Sequence, residues 1–209
     1  MGKKDPSQYA THAEALNGIY IDFEGFQSGP PALLGILVDD SFEQVVFDHG
    51  LLLAALAKGL RFSVLEIEAL AITQLSQLEG RCVFAFTRRE LNVFEEYTSV
   101  ANQIRAVYRD SHKIAKRWFK RLHSEETLPD WSLLSFLEFI GSPPPKYLGI
   151  KKSTKRLRAV KDMIEKRGSF DLTPTVNRHW TNILKHNELD CTLMRELTLR
   201  ATAELRLLE

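Results

Sequence analysis

The chain has 209 residues, of which 44% are hydrophobic and 26% are charged, and its net charge is +1. This composition excludes a disordered, collagen-like or low-complexity chain, and no apolar run approaches the roughly 20 residues that a membrane-spanning helix needs. Because a chain of this length supports one well-filled core, we expect a single domain over residues 1–209.

Three strands are predicted near the start of the chain. Apolar and polar residues alternate over residues 18–26, as in a strand with one buried face. A Ser-Gly-Pro-Pro turn leads to a second apolar strand over 32–38, and a third strand follows over 43–47. The short connections favour an antiparallel meander.

Beyond residue 50 the apolar spacing changes to three and four, which predicts helices over 51–60 and 63–78. A fourth strand is predicted over 81–86. Thr87 is predicted to cap the next helix, with Glu90 at the third helical position of a capping box. A fifth strand is predicted over 104–108.

The second half of the chain is predicted to be mostly helical. A loop is expected at the Ser-Pro-Pro-Pro sequence over 142–145. Helices are predicted over 112–122, 153–167 and 174–208, the last either broken near Lys185 or continuous through it. Strands alternating with helices after a meander indicate an α/β fold, with a mixed sheet flanked by helices.

Two carboxylates of the first strand are candidate metal ligands. Asp22 and Glu24 are two residues apart, so both side chains leave the same face of the strand. Neighbouring carboxylates repel each other, and a hard divalent cation such as Mg²⁺ or Mn²⁺ relieves that repulsion. The alternative is an edge strand whose polar face lies in water.

Further candidates follow at Glu90 and on the late helix. His186 and Asp190 are four residues apart and therefore share one helix face, which also suits an ordinary surface pair. Glu90 follows the fourth strand, and its alternative role is in the capping box. Asp110 follows the fifth strand, where it also suits a helix cap.

In chain order these residues resemble the motifs of the DEDD-type 3′–5′ exonucleases, a superfamily with the ribonuclease-H-like fold. Ile-Tyr-Ile-Asp22-Phe-Glu24 is similar to the first motif, and Phe-Thr-Arg-Arg-Glu90 is similar to the second. His186-Asn-Glu-Leu-Asp190-Cys is similar to the third, in particular to the Tyr-Asn-x-x-Asp-Cys of the predicted RecB-associated nuclease branch. Glu90 stands where most members carry Asp, and family histidines normally precede the last Asp by five residues rather than four.

The stretch around Asp110 also resembles the family's fifth-strand segment, in which an Asp precedes a helix without being a ligand. We therefore prefer Glu90 to Asp110 as the acid of the second motif, and Asp110 remains the alternative.

The resemblance implies a ribonuclease-H-like mixed sheet and a metal-dependent 3′–5′ exonuclease that acts on DNA or RNA. Two Mg²⁺ or Mn²⁺ ions would be held by Asp22, Glu24, Glu90 and Asp190. His186 would act as the general base on the attacking water, and the product would be a nucleoside 5′-monophosphate. The expected partner is a single-stranded 3′ end of a nucleic acid, with no membrane partner.

A basic segment is the candidate surface for that nucleic acid. Nine Lys or Arg residues against two acids lie between residues 146 and 167, whereas residues 1–60 carry three against eight. A solvated helix face is the alternative reading of this charge. The candidate contacts with phosphates are Lys151, Lys152, Lys155, Arg156 and Arg158.

A non-catalytic role is the alternative function. In that reading the chain is a degenerate ribonuclease-H-like domain that binds nucleic acid or a partner protein without cleaving. The Glu at position 90 and the four-residue spacing from His186 to Asp190 favour it, whereas the presence of both Asp22 and Glu24 favours an active enzyme.

The cysteine content bears on location. The chain has two cysteines and no Asn-x-Ser/Thr sequon, and its N-terminal lysines precede no apolar core. This pattern argues against a disulfide framework, a structural zinc site or a signal peptide, so we expect a cytoplasmic location.

Overall fold

A computed structural model describes residues 6–26, 29–62, 80–148, 152–169 and 171–208. Six strands are described: β1 (Ile19–Gly25), β2 (Pro31–Val38), β3 (Ser41–Val46), β4 (Arg61–Phe62), β5 (Val83–Ala85) and β6 (Tyr108–Asp110). They form one mixed sheet in the order β4-β3-β2-β1-β5-β6. The first three strands are an antiparallel meander, β5 and β6 continue from β1 in parallel, and β4 runs parallel to β3.

Helices flank this sheet. Those described are α1 (His12–Leu16), α2 (Leu52–Ala57), α3 (Arg88–Tyr97), α4 (Ala101–Val107), α5 (Ser111–Leu122), α6 (Leu133–Phe139), α7 (Ser153–Arg167) and α8 (Pro174–Arg206). None of these helices combines the length and the hydropathy needed to span a bilayer.

The alternation of β1 divides the core between the two faces of the sheet. Ile21 and Phe23 are buried on one face, where Phe23 packs edge-on against Phe94 of α3. Tyr20 is buried on the opposite face, in the cluster that includes Leu197 of α8. Asp22 and Glu24 are two and four residues beyond Tyr20, so the strand directs their side chains to the same face as Tyr20, toward α8.

Helix α8 extends along this second face for 33 residues, or about 50 Å at the rise of an α-helix. Its buried residues recur at spacings of three and four, which is why one stripe of the helix faces the sheet. That stripe contains Trp180, Ile183, Asn187, Cys191, Met194, Leu197, Ala201 and Leu205. The helix is continuous through Lys185, which settles the choice left open by the sequence.

The predicted α/β fold with a mixed sheet is confirmed, as are the three-strand meander and the helix that begins at Ser153. The fifth strand predicted over 104–108 is wrong, because helix α4 continues to Val107 and β6 begins at Tyr108. Val100, Ile104 and Val107 pack on the core at the helical spacings of four and three. Those contacts with the core stabilise the helix, although the short alternation of apolar residues in the sequence favours a strand.

Two further differences concern short elements. Helix α6 was not predicted from the sequence; it begins after Ser132, whose hydroxyl accepts a hydrogen bond from the backbone N–H of Ser135 at 3.2 Å. The two-residue strand β4 was not predicted either. The helix predicted over 63–78 lies outside the described residues.

Candidate metal centre

The acids of β1 lie beneath helices α7 and α8. Ser153, at the start of α7, donates a hydrogen bond to Glu24 Oε1 at 2.7 Å, and Thr154 donates to the carbonyl of Gly25 at 3.0 Å. Asp22 accepts a hydrogen bond from Asn187 of α8 at 2.8 Å. Both helices therefore form hydrogen bonds with the strand that carries the first two acids.

Glu90 comes from the first turn of α3, directly after β5. Its side chain is only 6% exposed, and its Oε2 accepts a hydrogen bond from the Thr87 hydroxyl at 3.2 Å. Thr87 caps the helix as predicted, but its hydroxyl accepts from the backbone of Arg89 at the second helical position rather than the third. Glu90 lies close enough to Asp22 for the Asp22 carboxylate to raise its pKa. We refer to Asp22, Glu24, Glu90 and Asp190 together as the acidic cluster.

His186 and Asp190 come from adjacent turns of α8. Their Nδ1 and Oδ1 atoms are 3.5 Å apart. Glu24, His186 and Asp190 each offer one atom that could ligate a metal, and these three atoms lie within 4.8 Å of one another. The structure therefore brings the late-helix residues to Glu24 of β1, while Asp22 and Glu90 are not members of this close group.

Electrostatic coupling extends through all four acids. Burial is the largest cause that raises the pKa of each carboxyl group, to about 7 for Glu90. Repulsion adds to burial, because Asp22 raises the pKa of Glu24, Glu90 and Asp190. Four carboxylates that interact in this way cannot all be ionised at low cost without a cation among them.

Among the described residues, no direct ion pair between a lysine or arginine and an acid of the cluster offsets this repulsion. The exposed Arg89 attracts Asp22, Glu24 and Glu90 at longer range. Carboxylate oxygens are the ligands that Mg²⁺ and Mn²⁺ prefer, so the donor set fits hard divalent ions.

His186 is suited to accept a proton. Burial, and then the charge of Arg156, lower the pKa of its imidazole. The ring is therefore neutral at neutral pH and offers one nitrogen lone pair. Its Nδ1 is buried and makes no hydrogen bond with the described residues.

Asp110 has a different environment from Glu90. It is 3% exposed, and its side chain caps α5 by accepting a hydrogen bond from the Lys113 backbone at 2.9 Å. β6 is separated from β1 by β5. The neighbouring charges that raise the pKa of Asp190 are those of Asp22, Glu24 and Glu90. The structure thus brings Glu90, rather than Asp110, to the other acids.

The basic residues at the start of α7 and in its cap, Lys152, divide into exposed and buried members. Lys152, Lys155 and Arg158 are exposed. Arg156 is only 7% exposed and donates to the backbone carbonyls of Leu148 and Tyr147. The predicted contact between Arg156 and nucleic acid is therefore replaced by a structural role, while Lys151 lies outside the described residues.

Three residues of this site were given no role from the sequence. Asn187 and Gln44 form hydrogen bonds next to Asp22, and Ser153 holds Glu24. Asn187 had a detectable signal, because it interrupts the apolar stripe of α8 between Ile183 and Cys191. Gln44 and Ser153 had no such signal in the sequence, because their hydrogen-bond partners are more than 120 residues away in the chain.

None of the protein-family models, curated proteins or solved structures with which the chain was compared matches it. The geometry of the acidic cluster is therefore the basis for assigning a function.

Proposed function

We propose that this protein is a metal-dependent 3′–5′ exonuclease of the DEDD type, with a ribonuclease-H-like fold. The observation that carries the proposal is the electrostatic coupling of four acids from β1, α3 and α8, of which Glu24 and Asp190 lie within 4.8 Å of each other and of His186. Their mutual repulsion matches a site built to hold cations. The strand order supports the fold, because a three-strand meander is followed by two parallel strands that extend the sheet from β1.

In this proposal Asp22, Glu24, Glu90 and Asp190 hold two divalent ions. When bound, such ions activate water and stabilise the charge that develops during phosphodiester cleavage. Neutral His186 accepts the proton of the water that attacks the terminal phosphorus. The bond from phosphorus to the 3′ oxygen breaks, the 3′ oxygen takes a proton from solvent, and a nucleoside 5′-monophosphate leaves.

The exposed basic residues of α7 supply the surface for the polymer. The hydrogen bond from Ser153 to Glu24 fixes the start of this helix beside the acids, and the exposed Lys152 and Lys155 lie within two residues of Ser153. Arg89 adds positive charge on the α3 side. Contacts between such residues and phosphates do not depend on base sequence and weaken with salt.

Degradation of 5′-labelled single-stranded DNA and RNA oligonucleotides tests the function. With Mn²⁺ or Mg²⁺ we expect stepwise shortening from the 3′ end, with none in EDTA. The Glu90→Gln variant should lose this activity, whereas Glu165→Gln, an exposed change on α7, should retain it. Salt-sensitive binding without cleavage by the wild type would overturn the proposal and favour a degenerate, binding-only domain.

Reversing one charge near the start of α7 tests the polymer surface. We expect Lys155→Glu to raise the KM for an oligonucleotide about tenfold at an ionic strength of about 0.1 M, with a smaller effect at about 1 M. The matched control is Lys166→Glu, which is exposed on the same helix 11 residues further on. That separation is about 16 Å along the helix axis, beyond a Debye length of about 10 Å, so its KM should stay unchanged. Equal effects of the two substitutions would contradict the placement of the polymer.

A further inference from the structure

Asn187 is a fully buried polar residue between His186 and Asp190. Its Nδ2 donates to the backbone carbonyl of Asp22 at 2.9 Å and to Asp22 Oδ2 at 2.8 Å. Both N–H bonds of the amide are thus directed at one residue. Hydrogen bonds that include a charged acceptor are the stronger ones, so this contact restrains the Asp22 carboxylate.

Gln44 of β3 holds the other end of the Asn187 amide. Its Nε2 donates to Asn187 Oδ1 at 2.9 Å and to the carbonyl of Leu184 at 3.0 Å. A flipped Asn187 amide would place its oxygen against the Asp22 carboxylate and its NH₂ against the NH₂ of Gln44. The two neighbours therefore fix a single orientation of the amide.

The sheet is built to accept Asn187 at this point. Asp22 pairs with Gly35 across β1 and β2, and Gly35 pairs with Gln44 across β2 and β3. The three residues form a transverse row, and Asn187 lies over the glycine while bonding to both ends. A Cβ at position 35 would come within 2.8 Å of Asn187 Cγ, so a side chain larger than glycine would displace the amide.

We propose that Asn187 is a positioning residue that holds Asp22 in the orientation needed for metal binding, with Gln44 as its support. The proposal rests on the metal-dependent function described above. The bond to Oδ2 prevents rotation of the carboxylate, so its other lone pairs keep one direction. Carboxylates that ligate metals are commonly held by such hydrogen bonds, and their loss typically reduces metal affinity or activity about 10- to 100-fold.

Asn187→Leu tests this role, because leucine is close to asparagine in shape but donates no hydrogen bond. We expect the Mn²⁺ concentration for half-maximal thermal stabilisation to rise about 10- to 100-fold. At saturating Mn²⁺, kcat should fall while the KM for the oligonucleotide stays unchanged, since the polymer surface is intact. Gln44→Ala, which removes the amide that bonds to Asn187 Oδ1, should shift the Mn²⁺ midpoint in the same direction by a smaller factor.

Thr198→Ala is the control for a loss of stability alone. Thr198 is buried on the same helix and is hydrogen-bonded to Ser111 at 3.0 Å, outside the acidic cluster. This variant should melt at a lower temperature with an unchanged Mn²⁺ midpoint. If Asn187→Leu and Gln44→Ala behave like Thr198→Ala, the positioning role is wrong while the function stands. If the wild type neither responds to Mn²⁺ nor cleaves, the proposed function itself fails.

Discussion

Replacing Asp22 with Asn is expected to abolish hydrolysis and, in the same protein, to raise the melting temperature in EDTA. Metal ions contribute several kcal/mol of charge stabilisation to such reactions, which corresponds to a loss of about 10³-fold or more in kcat. The gain in stability has a separate cause. Asp22 repels Glu24, Glu90 and Asp190 in the metal-free protein, and the neutral amide removes that repulsion.

The shape of the site favours a folded Asp22→Asn variant. The new side chain keeps an oxygen that accepts from Asn187 Nδ2, so the buried amide retains its partner. A relief of about 1 kcal/mol would raise the melting temperature by about 2–4 °C in a chain of this size. Activity on a labelled oligonucleotide and a thermal melt in EDTA measure the two effects.

The control for Asp22→Asn is Asp162→Asn, the same change at an exposed position of α7. It should alter neither activity nor melting temperature, because an exposed carboxylate lies in water rather than among other acids. Loss of activity together with a lower melting temperature in Asp22→Asn would indicate that Asp22 is only structural. Retained activity would exclude Asp22 as a metal ligand.

The acids of the candidate site were predictable because each lies in a pattern that is local in the sequence. Asp22 and Glu24 occupy polar positions of an alternating strand, and His186 and Asp190 are one helical turn apart. Glu90 follows a short apolar strand and a capping Thr. Such patterns predict which face a residue occupies, and the resemblance to exonuclease motifs supplied the link between the segments.

The supporting residues depend on tertiary register, which no local pattern encodes. Gln44 reaches Asn187 only because β3 pairs with β2 so that Gln44, Gly35 and Asp22 lie in one row. Arg156 is one basic residue among several in the sequence, and its burial accompanies hydrogen bonds to the backbone carbonyls of Tyr147 and Leu148. The strand predicted over 104–108 failed for a similar reason, since contacts with the core stabilise helix α4 there.

The metal-free protein should lose stability as the pH rises from 6.5 to 8.5. Each acid of the cluster has a pKa above its ordinary value in the folded chain, so folding favours the protonated form. The stability linked to such a group is fully present below its ordinary pKa and has been lost once the pH passes the folded pKa, which is about 7 for Glu90 and about 8 for Glu24. The melting temperature in EDTA should therefore fall across this range.

Other groups act outside this range or in the opposite sense. The pKa of Glu14 is lowered to about 2, against the burial that raises it, by hydrogen bonds from Thr11 and Arg109. Its contribution is therefore lost only in acid. Burial lowers the pKa of His112, His179 and His186, so these rings destabilise the fold as they protonate below their ordinary pKa of 6.5. Starting at pH 6.5 keeps both effects small.

Added Mn²⁺ should reverse the loss at pH 8.5. A free ion at 100 times its dissociation constant stabilises the protein by about 2.7 kcal/mol, which is about 5–11 °C in melting temperature. The shift should be smaller at pH 6.5, because protons compete with the ion for the same carboxylates. In Asp22→Asn both the pH dependence and the response to Mn²⁺ should shrink together. A melting temperature that rises with pH in EDTA would contradict the raised pKa values of the cluster. A response to Mn²⁺ that this substitution leaves unaffected would place the cation outside the cluster.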